Sequence, residues 1–337
     1  MQSHHFIDDG QSLREKTKRS THFGQDQALP RGPSLKGRLF YLLMWFFLKL
    51  HPLKTLDQLR SQPAQPEMSL PPDISLERIA VGDVSAQYIT APGATREHVL
   101  LFIHGGAFAL PLTNAYRSLA VKLSQATGAS VLLPEYRLSP EHPFPAALHD
   151  CTLMYRWLLT QGVKASHIVI LGDSAGGNLT LATALLLRES GALLPAGLVA
   201  LSAATDLTMA GATYRSKMRV DPLLGSGLAK SAFAAYTSNG LIDSHDPLVS
   251  PLYARLDGLP PTLLQVGTQE VLLSDTTRMA QRFQDAGVEV TLEIWPGMWH
   301  VWHLTGDSLP EARQAIEHMV KHVRDCFSYR ELLATPS

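Results

Sequence analysis

From about residue 79 onward, short apolar runs alternate with longer stretches whose apolar positions recur at helical spacing. The runs cover residues 98–104, 129–134, 167–171, 197–202, 262–266 and 288–295. Their apolarity is continuous rather than alternating. That predicts strands covered on both faces, and so a mostly parallel sheet between layers of helices. The stretches between them predict helices over 113–126, 145–160, 175–190, 275–286 and 310–327. Pro145 stands near one start, and Gly162, Gly191 and Gly287 just past three ends. Residues 79–82 and 87–90 read as an antiparallel lead-in hairpin around Gly82 and Asp83. This order of elements predicts a doubly wound α/β domain, expected over residues 77–327.

Two regions interrupt the alternation. Residues 206–257 lie between two predicted strands and are far longer than an ordinary connection, as a lid or binding element would be. Ahead of the sheet, residues 1–36 are polar and mixed in charge, and are expected to form a mobile arm. The run from Leu39 to Leu48 is apolar on all sides, yet shorter than the roughly 20 residues a bilayer span needs. It is expected to open a set of N-terminal cap helices over 37–76 that, with residues 206–257, covers the active site. The alternatives are a late uncleaved signal anchor or an in-plane helix, which leaves a weak membrane-surface contact through Leu39–Leu48 open.

Composition narrows the class. With 45% hydrophobic and 18% charged residues, the chain is globular with a large core. Lysine plus arginine number 29 against 30 aspartate plus glutamate, so no basic excess points to a nucleic-acid partner. Cys151 and Cys326 are too few for a disulfide framework and lack metal-ligand spacing. They read as buried thiols of a reducing compartment, which favours a cytoplasmic location over a membrane-associated one. Nothing in the sequence decides between a monomer and a homodimer.

The strongest local chemistry is Gly172-Asp173-Ser174-Ala175-Gly176-Gly177-Asn178, placed between a predicted strand and a predicted helix. Gly-x-Ser-x-Gly in that context is a nucleophile elbow, whose tight turn needs small neighbours and lifts the serine above the sheet edge. At a helix N-terminus, Ser174 also meets backbone N–H groups that favour developing negative charge. A second signal, His104-Gly105-Gly106-Ala107-Phe108, follows the strand over 98–104. Its N–H groups at Gly105, Gly106 and Ala107, with that of Ala175, are the expected oxyanion hole, and His104 is expected to be structural.

A serine hydroxyl needs a base, and histidine is the side chain whose ordinary pKa suits the task. Of the 14 histidines, His4, His5 and His22 fall in the arm, and His149, His318 and His322 fall on helices expected to face solvent. His300 instead lies just past the last predicted strand, with His303 as runner-up. For the acid that orients the imidazole, Glu270 stands nearest the end of the strand over 262–266. Asp275 and Asp206 remain alternatives, the first as a helix-start residue and the second as a turn carboxylate. The order Ser174, Glu270, His300 is that of α/β-hydrolases. Phe108, Trp45, Trp299 and Trp302 are the expected wall of a substrate pocket.

Several of these motifs, in this order, resemble the hormone-sensitive-lipase family of esterases, family IV in bacteria. The resemblance runs from about Ile79 to Val323. It rests on His104-Gly105-Gly106, on Glu135-Tyr136-Arg137-Leu138-Ser139-Pro140-Glu141-His142-Pro143-Phe144-Pro145-Ala146-Ala147 and on the elbow. Ser250-Pro251-Leu252-Tyr253, Gly258-Leu259-Pro260-Pro261 and Trp295-Pro296-Gly297-Met298-Trp299-His300 add to it. It implies an α/β-hydrolase fold with an N-terminal helical cap, short- to medium-acyl ester substrates and no cofactor. The family's acid falls on Glu270, where many members have Asp, and Ala107 replaces the third glycine of His-Gly-Gly-Gly. An amidase, deacetylase or lactonase would use the same three residues. A ligand-binding member that had lost catalysis would be expected to lack one of them.

Overall fold

The computed structural model describes residues 29–51, 55–63, 66–224 and 227–334. Eight strands form one sheet: β1 (Ser75–Val81), β2 (Val84–Thr90), β3 (Thr95–Ile103), β4 (Ala129–Glu135), β5 (Ile168–Asp173), β6 (Gly197–Leu201), β7 (Thr262–Gly267) and β8 (Val290–Trp295). Their spatial order is β1-β2-β4-β3-β5-β6-β7-β8. Only β2 runs against its neighbours, pairing antiparallel with β1 and β4, while β3 to β8 are parallel. The lead-in hairpin turns as expected, with Val81 facing Val84 across Gly82, whose φ of +60° suits a residue without Cβ.

The helices are α1 (Leu35–Leu50), α2 (Leu56–Arg60), α3 (Asn114–Thr127), α4 (Ala146–Thr160), α5 (Ala175–Glu189), α6 (Thr213–Ser216), α7 (Leu228–Tyr236), α8 (Leu273–Asp285) and α9 (Pro310–Ala334). Two apolar layers hold the sheet. Leu101, Ile103, Ile170 and Ala200 face α4 and α5, whereas Leu100, Phe102, Val169, Leu171 and Val199 face α3 and α9. Both faces of β5 are therefore buried, which is why its sequence is apolar without alternation. Cys151 and Cys326 are free and buried. No helix among the described residues is long and apolar enough to cross a membrane.

Three expectations need correcting. Residues 29–36 are docked rather than mobile: the Ser34 N–H donates to Glu311 Oε1 at 2.5 Å, Pro33 fills the space beside Gly297, and Leu29 packs on the Trp295–Trp302 cluster. Residues 1–28 of the expected arm lie outside the described residues. His318 and His322 are buried rather than solvated, because α9 turns them inward: the Nδ1–H of His318 donates to Glu293 at 2.8 Å, and His322 Nε2 lies 3.5 Å from Cys326 Sγ.

Candidate active site

The C-terminal ends of the parallel strands carry every residue singled out for chemistry except Trp45. At the end of β5 the chain reverses through Ser174, whose φ of +54° and ψ of −118° lie outside the ordinary allowed regions. The neighbours make that turn affordable only because they are glycines. A Cβ on Gly172 would stand 2.4 Å from the Gly176 carbonyl oxygen, and one on Gly176 would stand 2.0 Å from that of Ile103. The Ser174 N–H is held by the Leu201 carbonyl at 2.8 Å, which ties the turn to β6. Asn178, one turn into α5, donates to the carbonyls of Ala204 and Val249 and so fastens both ends of the 206–257 insertion.

Past β8, a turn at Gly297 brings His300 back over the sheet edge. Gly267 lets this loop cross the end of β7, since a Cβ there would lie 2.2 Å from the Met298 carbonyl oxygen. The Gln269 N–H bonds that same carbonyl at 2.9 Å, and the Gly297 N–H bonds Thr268 Oγ1 at 2.8 Å. The two loops are thereby locked with Glu270 facing His300. His300 Nδ1–H donates to Glu270 Oε2 at 3.0 Å, which leaves Nε2 as an acceptor, 3.0 Å from Ser174 Oγ. Ser174, Glu270 and His300, far apart in sequence, are thus brought together.

The surroundings set the charges. Glu270 has no exposed surface, and burial pushes its carboxyl above the usual carboxylate range against the opposing bond from His300 and the Gly267 N–H. Burial would push the His300 imidazole down. The hydrogen bond and charge of Glu270, helped by Asp221 and Asp173, override it and hold the imidazole above 6.5. Glu270 Oε1 accepts from Ser202 Oγ at 2.8 Å and from the Gly267 N–H at 2.6 Å. Asp221, in the insertion, accepts the Val271 N–H at 2.9 Å and so holds the Glu270 loop from the other side. Neither Ser202 nor Asp221 was marked by any local motif.

The rival residues have other work. His303 donates Nε2–H to Gln265 Oε1 at 2.9 Å, and burial pushes its pKa down to about 3. Asp275 accepts the N–H groups of Thr205 and Asp206 at 3.1 and 3.0 Å, and Asp206 is held by Arg278 at 2.6 Å. His104 is structural: its Nδ1–H donates to the Gly105 carbonyl at 2.6 Å and its ring stacks on Tyr136.

The expected oxyanion hole loses one member. The Gly105 N–H donates to buried Asp173 Oδ1 at 3.0 Å, where Tyr116 Oη also bonds the other oxygen at 2.9 Å, so it cannot serve a ligand. The N–H groups of Gly106, Ala107 and Ala175 have no acceptor among the described residues. Ala107 and Phe108 both take positive φ, near +59° and +58°, so alanine in the third position adopts the turn at a cost of about 1–3 kcal/mol. Of the eight non-glycine residues with positive φ among those described, Ala107, Phe108, Ser174, Ser202 and Val301 lie in these loops. Such strain persists only where surrounding structure dictates the backbone.

The expected pocket wall also changes. Phe108 is fully buried and stacks on Tyr236 of α7 at 3.8 Å, so it supports the insertion instead of lining an open pocket. Trp302 is fully buried between Trp295 and His303, beneath the His300 loop. Trp299 is buried against Phe40 of α1, their rings stacked at 5.3 Å. Trp45 is half-buried and reaches the insertion, its Nε1–H donating to the Arg219 carbonyl at 3.2 Å. Tyr41 Oη donates to the Val220 carbonyl at 2.7 Å, so α1 and the insertion are bonded to each other beside the site. Among the described residues, no group of three or more histidine, cysteine, aspartate or glutamate side chains is placed to hold a metal.

A parallel sheet with a serine elbow, an imidazole and a carboxylate converging at its C-terminal edge defines the α/β-hydrolase class. A profile of the alpha/beta hydrolase fold matches residues 100–304. The chain is 39% identical over 258 residues to an acetyl-hydrolase of Streptomyces hygroscopicus, covering 77% of this chain and 84% of that protein. It is 38% identical to an esterase of Acinetobacter venetianus, covering 73% and 80%. Among solved structures, the esterase EstE5 soaked with p-nitrophenyl butyrate superposes with a TM-score of 0.80 at 35% identity, covering 88% of this chain and 99% of that one. An esterase from the bacterial hormone-sensitive-lipase family does so with a TM-score of 0.78 at 37% identity, covering 87% and 99%. The chain belongs to the α/β-hydrolase fold family, in its hormone-sensitive-lipase-like esterase branch.

Proposed function

We propose that this protein hydrolyses carboxylic esters of short to medium acyl chains through an acyl-enzyme on Ser174. The observation that carries the reading is the unbroken path from Glu270 Oε2 to His300 Nδ1 and from Nε2 to Ser174 Oγ, each step 3.0 Å. Neutral His300 takes the hydroxyl proton as Ser174 attacks the ester carbonyl, and Glu270 holds the ring and stabilises the imidazolium. The oxyanion accepts hydrogen bonds from the N–H groups of Gly106, Ala107 and Ala175, which have no other acceptor among the described residues. His300 then protonates the leaving alcohol, and water repeats the sequence to release the acid. The relatives named acetyl-hydrolase and the structure soaked with a butyrate ester support a short acyl group.

In this reading α1, α2 and the 206–257 insertion form the cap. The hydrogen bonds from Tyr41 and Trp45 to residues 220 and 219 support that assignment. The test is pre-steady-state release of p-nitrophenol from p-nitrophenyl butyrate. One equivalent per enzyme is expected in a burst, and Ser174→Ala is expected to lose about 10⁴- to 10⁶-fold in kcat with its fold intact. Near-normal turnover by that variant would refute the mechanism.

A further inference from the structure

We infer that the outer face of α1 docks onto an anionic lipid surface, with the helix lying in the plane of that surface. Eight of the twelve large apolar side chains exposed among the described residues are on this one helix. Leu35, Leu39, Leu42, Leu43, Phe46 and Leu50 fall on one side at helical spacing, all more than half exposed. Gly37, Tyr41, Met44 and Trp45 fall on the other side, which packs toward Glu311, the tryptophan cluster and the insertion. The helix is therefore covered along its inner half and bare along its outer half. A contiguous apolar strip of that kind marks an interaction surface rather than ordinary scatter.

Charge selects the occupant. The helix carries Lys36, Arg38 and Lys49, all exposed, and no acidic residue. At 100° per residue Lys36 lies near one edge of the apolar strip, and Arg38 and Lys49 lie along the other, where long basic side chains reach headgroups as the strip sinks among acyl chains. A second copy of the helix would bring like charges together in either direction of pairing, with no carboxylate on α1 to meet them. Residues 1–28 hold few apolar side chains with which to cover the strip. Sixteen residues reach about 24 Å, short of the roughly 30 Å hydrocarbon layer, so the helix lies on the surface and does not cross it. Its inner side touches Trp299, next to His300, so the docked enzyme would hold its site against the lipid.

Flotation of the full chain with vesicles tests this without any reference to ester hydrolysis. Binding is expected to vesicles of phosphatidylcholine with phosphatidylglycerol, weaker at high salt, and at least about tenfold weaker to phosphatidylcholine alone. The triple variant Leu39→Ser, Leu43→Ser, Phe46→Ser should lose flotation at least about tenfold while keeping the helix content and thermal unfolding midpoint of the wild type. Lys36→Glu with Lys49→Glu leaves the apolar strip untouched and should remove the preference for the anionic vesicles. Failure of the wild-type chain to float with anionic vesicles would overturn the proposal, as would flotation of the triple variant. A concentration-dependent dimer abolished by the triple variant, without lipid binding by the wild type, would assign the strip to a second copy.

Discussion

Glu270 and Glu293 each accept the Nδ1–H of a buried histidine, His300 at 3.0 Å and His318 at 2.8 Å. Their settings differ. Glu293 lies inside β8, and its second oxygen takes the side-chain N–H of Gln265 at 2.8 Å and that of Trp295 at 3.2 Å. Gln265 in turn receives His303 and donates to the Ala315 carbonyl of α9 at 3.0 Å, so both oxygens of Glu293 are held within the interior beneath α9. Glu270 lies in the loop past the end of β7, and its histidine turns the remaining nitrogen to a hydroxyl at the sheet edge. A carboxylate–imidazole pair is thus a clamp wherever the fold closes around it. It becomes a base only where one nitrogen is left facing a nucleophile.

Removing each carboxylate should separate the two roles. Glu270→Gln is expected to lower kcat/KM for p-nitrophenyl butyrate by about 10²- to 10⁴-fold, because the amide no longer stabilises an imidazolium. Glu293→Gln should leave kcat/KM within about threefold while costing about 1–3 kcal/mol of stability, read by urea unfolding. Equal activity losses in the two variants would erase the distinction.

The pH profile sharpens it. In the proposed mechanism neutral His300 is the working form; its pKa is held above 6.5, so kcat/KM should fall as pH drops through a midpoint above that value. In Glu270→Gln only the charges of Asp221 and Asp173 still oppose burial, and the acid limb should move to lower pH; an unmoved limb would show that Glu270 does not set the titration. A smaller effect is expected for Ser202→Ala, about fivefold in kcat, the equivalent of one hydrogen bond worth about 1 kcal/mol. An unchanged rate would mean that the Gly267 N–H alone orients Glu270. Smallest of all, His303→Gln should leave kcat/KM where it is, since that ring points into the Glu293 network.

Most of the sheet was legible from the chain, because strands buried on both faces must be apolar throughout and helices between them must repeat at their own period. β5, β7 and α5 lie within a residue or two of the expected bounds. The serine elbow was legible because glycine is demanded at three fixed places by clashes of about 2.0–2.7 Å, and such a demand is written locally. Glu270 and His300 could be ranked ahead of their rivals because each follows a strand end. Other features left no such trace. The N–H of Gly105 is spent on a carboxylate 68 residues away, Ser202 meets Glu270 across another 68, and Asp221 reaches Val271 across 50. Phe108 and Trp302 are aromatic at plausible places, and only their packing partners put them in the interior.

Periodicity, chain order and the spacing of glycines were enough to specify an α/β sheet, its serine turn and the order of the three residues that meet there. These are properties of neighbours along the chain, governed by backbone sterics and by which face of an element must avoid water. Which N–H groups remain free for an oxyanion, which histidine is a clamp and which side of α1 stays bare depend on atoms that folding brings together from distant segments. A hydrogen-bond donor can be used only once, and the fold alone assigns it.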